Sequence, residues 1–143
     1  MTMRMISTIK DQRGVSAIEF AIVLPILILL IFGIIEFSLF LYDKAVITNA
    51  SREGARAGIV FADPRIDDAS IEAVVDNYCQ NNVITFGAAT GPTTTVTRGG
   101  TGSAGDPLTV RVTYQYDFLV IPNYVPRLGS GVGLVGETIM RLE

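Results

Sequence analysis

The longest apolar stretch of the chain lies near its N-terminus, between Phe20 and Tyr42. Residues 20–35 are sixteen in number and include no charged or hydrogen-bonding side chain, and Glu36 interrupts the stretch before it continues. As a helix, the 23 residues Phe20–Tyr42 extend roughly 35 Å, enough for a bilayer core of roughly 30 Å. The pattern therefore predicts a transmembrane helix at about residues 20–42.

Two other interpretations of this stretch are less favourable. A core helix would have to be buried on all sides, which a domain of this size could hardly achieve. A cleavable secretory signal has a shorter apolar core that ends at a small-x-small site, and none follows closely here. Positive charges do not decide the orientation, because the two flanks of the apolar stretch carry equal numbers of them. The N-terminal flank has Arg4, Lys10 and Arg13, and the C-terminal flank has Lys44, Arg52 and Arg56.

The helix is predicted to continue to about Val60, because the dipeptide Asp63-Pro64 disfavours helix beyond it. Ala50, Gly54 and Gly58 recur every four residues and form a strip of small side chains on one face. Glycine inside a helix costs roughly 0.5–1 kcal/mol relative to alanine, so the strip indicates a close contact. Packing against the protein's own sheet is the favoured interpretation, and contact with a second subunit is the alternative.

The polar remainder predicts a small α+β head over residues 61–143. A helical stripe at Asp67–Asn81 comprises Ile71, Val74, Val75 and Tyr78, with Asp67 or Asp68 able to cap its start. Strict alternation from Leu108 to Phe118 predicts a strand with one buried face.

Weaker signals predict the remaining parts of the head. They are a short edge strand at Thr93–Thr97, a flexible loop at Gly99–Asp106, an irregular stretch marked by Pro122 and Pro126, and a last strand at Leu134–Leu142. Together these elements predict a long N-terminal helix, a second helix and a small, mostly antiparallel sheet.

Composition argues against several classes of function. The net charge of −3 and the absence of a basic stripe exclude a typical nucleic-acid binder. Histidine is absent, so the commonest general base and metal ligand are missing. Cys79, the single cysteine, excludes an internal disulfide framework and is expected to be a buried small side chain. We therefore expect no enzyme activity, no cofactor, no metal site and no small-molecule substrate.

A short motif at the start of the apolar stretch is more specific. The charged segment ends in Arg13-Gly14, Glu19 stands five residues after the glycine, and Phe20 opens the apolar run. This arrangement resembles the processing site of type IV prepilins, above all the tight-adherence (Flp) branch, in which glycine, four residues and Glu-Tyr follow one another. Phe20 here replaces that tyrosine.

The resemblance extends beyond the motif over about 45 residues. The segments Ala17–Pro25, Gly33–Phe37 and Thr48–Ala57 are similar to the N-terminal block of the TadE family. Members of that family are minor pilins or pseudopilins of the tight-adherence pilus. TadF-like and TadG-like proteins share the N-terminal arrangement and remain alternatives, whereas major Flp pilins lack a globular domain.

The resemblance implies a role for each residue of the motif. Gly14 would precede the cut made by a prepilin peptidase, because glycine has no Cβ to hinder the scissile bond. Val15 would be the mature N-terminus, and Glu19, with Phe20 beside it, would serve assembly. A carboxylate at the edge of the bilayer is costly unless it is paired, and in pilins the α-amine of an adjacent subunit is the expected partner.

The predicted organisation is a cytoplasmic leader at residues 1–14, a helix at 15–60 and an extracytoplasmic head at 61–143. The expected location is the bacterial inner membrane, with the N-terminus inside, or the cell surface after processing. Expected partners are membrane lipid, the prepilin peptidase, other Tad pilins or pseudopilins and inner-membrane platform proteins, and no nucleic acid is expected.

Two other functions remain as alternatives to a minor pilin. One is a membrane-anchored binding module that keeps its N-terminus and uses the Gly/Thr-rich loop. The other is an enzyme built on the acidic group Asp63, Asp67, Asp68 and Glu72. A helix start with a solvated face accounts better for that group, and its spacing does not match a calcium loop.

Overall fold

The computed structural model describes residues 11–85, 91–119 and 131–143, with side chains from Gly14 onward. Five elements follow one another along the chain: α1 (Asp11–Ile59), α2 (Asp68–Asn82), β1 (Thr93–Arg98), β2 (Pro107–Tyr116) and β3 (Val132–Arg141). The chain forms two compact units, which divide between Ile35 and Glu36. The predicted α+β class is confirmed, with a long apolar N-terminal helix, a second helix and a small antiparallel sheet.

The first unit contains the apolar part of α1. Its large side chains are exposed, with Ile26 at 65%, Ile22 at 64% and Leu30 at 57%. α1 is the one described helix that is long and apolar enough to cross a membrane, and its most apolar window is not buried at all within the protein. Such a surface is stable in lipid or against other apolar helices, because its exposure to water is unfavourable.

The second unit is the head, whose sheet has the order β1-β2-β3 with both pairs antiparallel. β2 is the central strand, and every second side chain of it is buried: Leu108, Val110, Val112, Tyr114 and Tyr116. The alternation in sequence therefore predicted the buried face correctly, although the strand ends at Tyr116 rather than at Phe118. β1 is an edge strand, as expected, and β3 begins two residues earlier than predicted.

The core lies between this face of the sheet and the two helices. Ile47 and Ala50 of α1, Ile71 and Val75 of α2 and the buried residues of β2 form one apolar cluster, with Cys79 among them. An aromatic group of Phe40, Tyr116 and Phe118 extends the core, with ring centroids 5.1–5.8 Å apart. The head therefore includes part of α1, whereas the sequence placed its boundary at residue 61.

Local hydrogen bonds define the ends of α2 and the β1–β2 loop. The Asp67 carboxylate accepts from the backbone N–H of Ser70 at 3.0 Å, so Asp67 is the N-cap of α2. In the loop after β1, Asp106 accepts from the N–H groups of Thr101 and Ser103 at 2.9 and 3.0 Å. These bonds organise a loop that the sequence predicted to be flexible. Pro122 and Pro126 lie outside the described residues.

Candidate processing and assembly site

The predicted processing residues lie in the first turns of α1. Gly14 and Val15 are exposed, and a Cβ added at Gly14 would meet no atom within 4 Å. Gly14 and Val15, and the bond between them, lie within the helix, which begins at Asp11. A helix end frays readily and glycine favours helix weakly, so little free energy is needed to extend the chain at this bond.

The predicted assembly residues follow on the same helix. Glu19 is exposed, and Phe20 is 61% exposed. Val15 and Glu19 are four residues apart and thus share one face, one turn from each other. The resemblance assigns the α-amine of Val15 of an adjacent subunit as the partner of Glu19. This amine forms only when the bond between Gly14 and Val15 is cut.

The small-residue strip lies in the head, apart from the processing residues. Ala50 is fully buried. A Cβ at Gly54 would collide with Val75 and contact Val110, and one at Gly58 would collide with Leu108 and Ile71. Both glycines therefore face side chains of α2 and of β2 within the same chain, whereas the sequence favoured packing against the sheet alone. Because the strip faces the core, it offers no open surface to a second subunit.

Sequence reasoning missed a set of buried polar groups on α1. Glu36 is 4% exposed and its carboxylate accepts from the backbone N–H of Leu119. Asp43 is fully buried, and its Oδ1 accepts from the N–H of Ile84 at 2.9 Å. The signal was present in the form of two carboxylates inside or next to an apolar run, but neither was predicted to be buried.

Burial shapes the electrostatics around Asp43. It raises the pKa of Asp43, and the hydrogen bond from Ile84 offsets this only in part. The pKa of Tyr116 rises to about 12, first through burial and then through the nearby carboxylates of Glu36 and Asp43. Lys44, the neighbour of Asp43, donates instead to the carbonyl of Val135. Lys44 and Tyr116 join α1 to the sheet, whereas Asp43 joins it to the segment after α2, and these are structural contacts.

The remaining candidates for chemistry have structural roles. Asp67 caps α2, and Asp68 pairs with Arg98 at 2.6 Å. Burial raises the pKa of the Cys79 thiol to about 11, so it remains a thiol at neutral pH. Across residues 11–85, 91–119 and 131–143, no group of three or more Asp, Glu, Cys or His side chains is placed to hold a metal ion.

The fold and the motif together define a class of protein: an α+β head that follows an apolar helix able to serve as a membrane anchor, with a prepilin-type glycine and glutamate at its start. Residues 14–56 match the family model described as TadE-like protein, so this N-terminal segment is similar to that family.

The match covers under a third of the 143 residues. It begins at Gly14 and ends at Arg56, so it contains the motif, the apolar stretch and part of the small-residue strip. No curated protein and no solved structure matches the chain.

Proposed function

We propose that this chain is a minor pilin or pseudopilin of a Tad pilus, cut by a prepilin peptidase after Gly14. The observation that carries the proposal is the TadE-like match, whose first residue is Gly14 itself. The glycine that the motif assigns to the cut is thus also where the family resemblance starts. The protein assembles with other pilus components rather than catalysing a reaction, and this assembly serves adherence.

The geometry of the first turns supports this function. Gly14 is exposed and has open space around it, so a membrane protease can reach the backbone there. After the cut, Val15 would carry a free amine one turn from Glu19. In lipid, an exposed carboxylate such as Glu19 is stabilised by an opposite charge, and the new amine of a neighbouring subunit supplies one.

The proposed topology follows from the same motif. The N-terminus faces the cytoplasm, the apolar part of α1 spans the inner membrane and the head lies outside the cytoplasm. The exposed apolar side chains of residues 15–35 then contact lipid before assembly and other pilins or platform proteins afterwards.

N-terminal sequencing and intact mass of the membrane-extracted protein test the processing step. We expect a chain that starts at Val15 in cells with the prepilin peptidase and an uncut chain in cells without it. Gly14→Val should also block the cut. Gly33→Val is the matched control, because Gly33 lies on the same helix with equally open surroundings.

The contrary result would be residues 1–14 retained in both strains. It would leave the protein as a membrane-anchored binding module with an uncut N-terminus, which is the alternative function.

Assembly is tested separately with Glu19→Gln. We expect normal processing but loss of this protein from sheared pilus or pilus-complex fractions, because the variant cannot pair with the amine of a neighbour. Glu53→Gln, which changes an exposed glutamate of the same helix within the head, should behave as the unmodified protein does. Equal incorporation of both variants would contradict the assembly role of Glu19.

A further inference from the structure

The head begins at Glu36, and its first residues form part of an exposed apolar surface. Phe37, Leu41 and Tyr42 of α1 are 57%, 50% and 45% exposed. Phe37 and Leu41 are one turn apart and share one face of the helix, with Tyr42 beside them. Leu119, the third residue after β2, is also 53% exposed. We call these four side chains the basal surface of the head, and the proposed function assigns no partner to them.

The exposed face of α1 changes character after Tyr42. Within residues 36–42, the exposed side chains are Phe37, Ser38, Leu41 and Tyr42. Within residues 43–56 they are Ala45, Asn49, Arg52, Glu53 and Arg56. An apolar stretch that ends in tyrosine and gives way to polar residues is typical of a helix that leaves a membrane–water interface.

Two hydrogen bonds place Leu119 beside the first residue of the head. The backbone N–H of Leu119 donates to the Glu36 carboxylate, and the Tyr116 hydroxyl donates to the Glu36 carbonyl at 3.4 Å. Leu119 therefore lies at the level of Glu36 along α1, roughly 9 Å of helix before Tyr42. Any medium that covers the exposed face of α1 from Phe37 to Tyr42 thus also reaches Leu119.

The length of the apolar run indicates that this medium is lipid. In the proposed topology, Glu19 lies at the inner edge of the bilayer. The sixteen residues at 20–35 then form roughly 24 Å of helix, which is less than a bilayer core of roughly 30 Å. About four further residues are needed to complete the span, and they are residues 36–39 of the head.

The burial of Glu36 makes such a depth possible. It is the one charged side chain among residues 20–42, and a charge that faces lipid is costly. Here the side chain is 4% exposed, and its carboxylate accepts from the N–H of Leu119. The head therefore shields this charge, while three of the four exposed side chains at residues 36–42 are apolar or aromatic.

We propose that the head docks through its basal surface on the outer leaflet of the membrane that anchors it. Phe37, Leu41 and Leu119 enter the outer edge of the hydrocarbon core. Tyr42 lies among the lipid headgroups, where tyrosine is enriched. Asp117 is exposed two residues before Leu119 and limits the depth, because its charge stays in the headgroup layer. The docking rests on the topology of the proposed function.

An equally exposed apolar residue elsewhere in the head lacks this setting. Ile139 of β3 is 63% exposed. It lies seven residues, or roughly 23 Å, along β3 from Val132, which pairs with Tyr116. Glu137 and Arg141 flank it at the alternate positions of the strand, so its surroundings are charged. Ile139 is therefore the matched control for Leu119.

Tryptophan fluorescence tests the docking, because the chain has no tryptophan of its own. Leu119→Trp and Ile139→Trp are made in the full chain and reconstituted in phosphatidylcholine liposomes. The lipid has a nitroxide quencher either near the headgroup or near the end of the acyl chains. Phe32→Trp, in the apolar unit, is the reference for a side chain in the bilayer core. Near-ultraviolet circular dichroism checks that each head is folded.

We expect the nitroxide near the headgroup to quench Leu119→Trp several-fold more than Ile139→Trp. The emission of Leu119→Trp should also lie at the shorter wavelength. The nitroxide at the end of the acyl chains should quench Phe32→Trp most strongly. Phe37→Trp and Asn49→Trp repeat the comparison on α1, roughly 18 Å apart along one helix, so the test does not depend on how Leu119→Trp folds.

Three results would overturn the docking. Weak quenching of Leu119→Trp and Phe37→Trp beside strong quenching of Phe32→Trp would end the span near Ile35, with a locally thinner bilayer. A blue-shifted Leu119→Trp that no nitroxide quenches would show that a second copy of the chain covers the basal surface. Equal strong quenching of Leu119→Trp and Ile139→Trp would mean that the head enters lipid without a preferred end.

The reference variant separates the docking from the proposed function. Weak quenching of Phe32→Trp together with all the head variants would contradict the membrane anchor itself, and with it both proposals. Strong quenching of Phe32→Trp alone would remove the docking and retain the anchor. The measurement requires neither cleavage nor pilus assembly, so failure of the docking leaves the processing and assembly roles of Gly14 and Glu19 untouched.

Discussion

Two stretches of α1 contain the same kinds of residue in opposite surroundings. Gly33, in the first stretch, has no atom within 4 Å of a hypothetical Cβ, whereas Gly54 and Gly58, in the second, leave no room for one. Phe32 is 47% exposed, whereas Phe40 packs on the rings of Tyr116 and Phe118. Glu19 is exposed, whereas Glu36 is buried.

The comparison separates two uses of apolar helix surface. Residues 15–35 expose their side chains, so a membrane or other subunits must supply what covers them. From Glu36 onward the helix supplies one wall of the core of the head, and its side chains contact the sheet and α2. Matched substitutions in the two stretches should therefore affect different properties, assembly in the first and stability of the head in the second.

The largest difference is expected at the glycines. Gly54→Leu places a branched side chain against Val75, Val110 and Ile71, all in the core. Overpacking of this kind costs about 3 kcal/mol, at the upper end of its usual range. At roughly 4–8 °C per kcal/mol for a domain of this size, the thermal midpoint of the head should fall by at least about 10 °C.

Gly33→Leu is the control for this substitution, because its side chain enters open space. We expect it to leave the thermal midpoint of the head unchanged, as followed by near-ultraviolet circular dichroism of the full chain in detergent. A stable head in Gly54→Leu would mean that the strip is not a tight contact.

The second difference concerns the phenylalanines. Phe40→Ala removes the ring that lies 5.5 Å from Tyr116 and 5.8 Å from Phe118. Because Phe40 is only partly buried, the loss should be about 2 kcal/mol, below that for a fully buried ring. Phe32→Ala should not change chemical unfolding of the head. Equal effects of the two variants would show that the stretches are not distinct.

The sequence predicted the parts of the head whose signals are local. Alternation along β2 identified its buried face, and Asp67 was identified as one of two candidate caps of α2. Glycine spacing along α1 indicated a close contact, and the favoured partner was the protein's own sheet. For the strand and the helix cap, residues within a few positions of each other determine the outcome, through side-chain direction or a capping bond.

The parts that could not be predicted depend on distant residues. The partners of the two buried carboxylates are distant in sequence: Leu119, 83 positions away, donates to Glu36, and Ile84, 41 positions away, donates to Asp43. The position of Glu36 inside the apolar run marks it as unusual, but the local pattern does not identify the residue that bonds to it. Gly14, Val15 and Glu19 were recognised through the motif, and their roles remain proposals.

The third difference concerns the glutamates. Glu36→Ala leaves the backbone N–H of Leu119 without this acceptor, and the loss of this part-buried hydrogen bond costs about 1 kcal/mol. Glu19→Ala should leave urea unfolding of the head unchanged, while it prevents incorporation into pili. Glu36→Gln retains an acceptor and should recover most of the stability. If Glu19→Ala destabilises the head, the separation of the two stretches is wrong.

The smallest effect should appear in the pH dependence of the head, through Asp43. Burial raises its folded-state pKa above the ordinary value of 3.8. The folded protein then binds a proton more tightly than the unfolded chain does. This contribution to stability is complete below the unfolded pKa and is lost as pH rises through the folded pKa. Asp67 and Asp106 act in the opposite sense, because their pKa values are lowered by hydrogen bonds and their contributions disappear as pH falls below 3.8.

Asp43→Asn isolates this effect, since its amide oxygen can still accept from the N–H of Ile84. The thermal midpoint of the variant relative to the unmodified protein should rise as pH increases above 3.8 and level off once pH exceeds the raised pKa of Asp43. Asp106→Asn serves as the control, because its difference should change only at lower pH. A difference that falls with rising pH in Asp43→Asn would mean that the folded head stabilises the charged form of Asp43. Asp43 would then have a lowered pKa, as the exposed Asp67 and Asp106 have. The effect of burial on carboxylates would no longer distinguish the second stretch of α1 from the first.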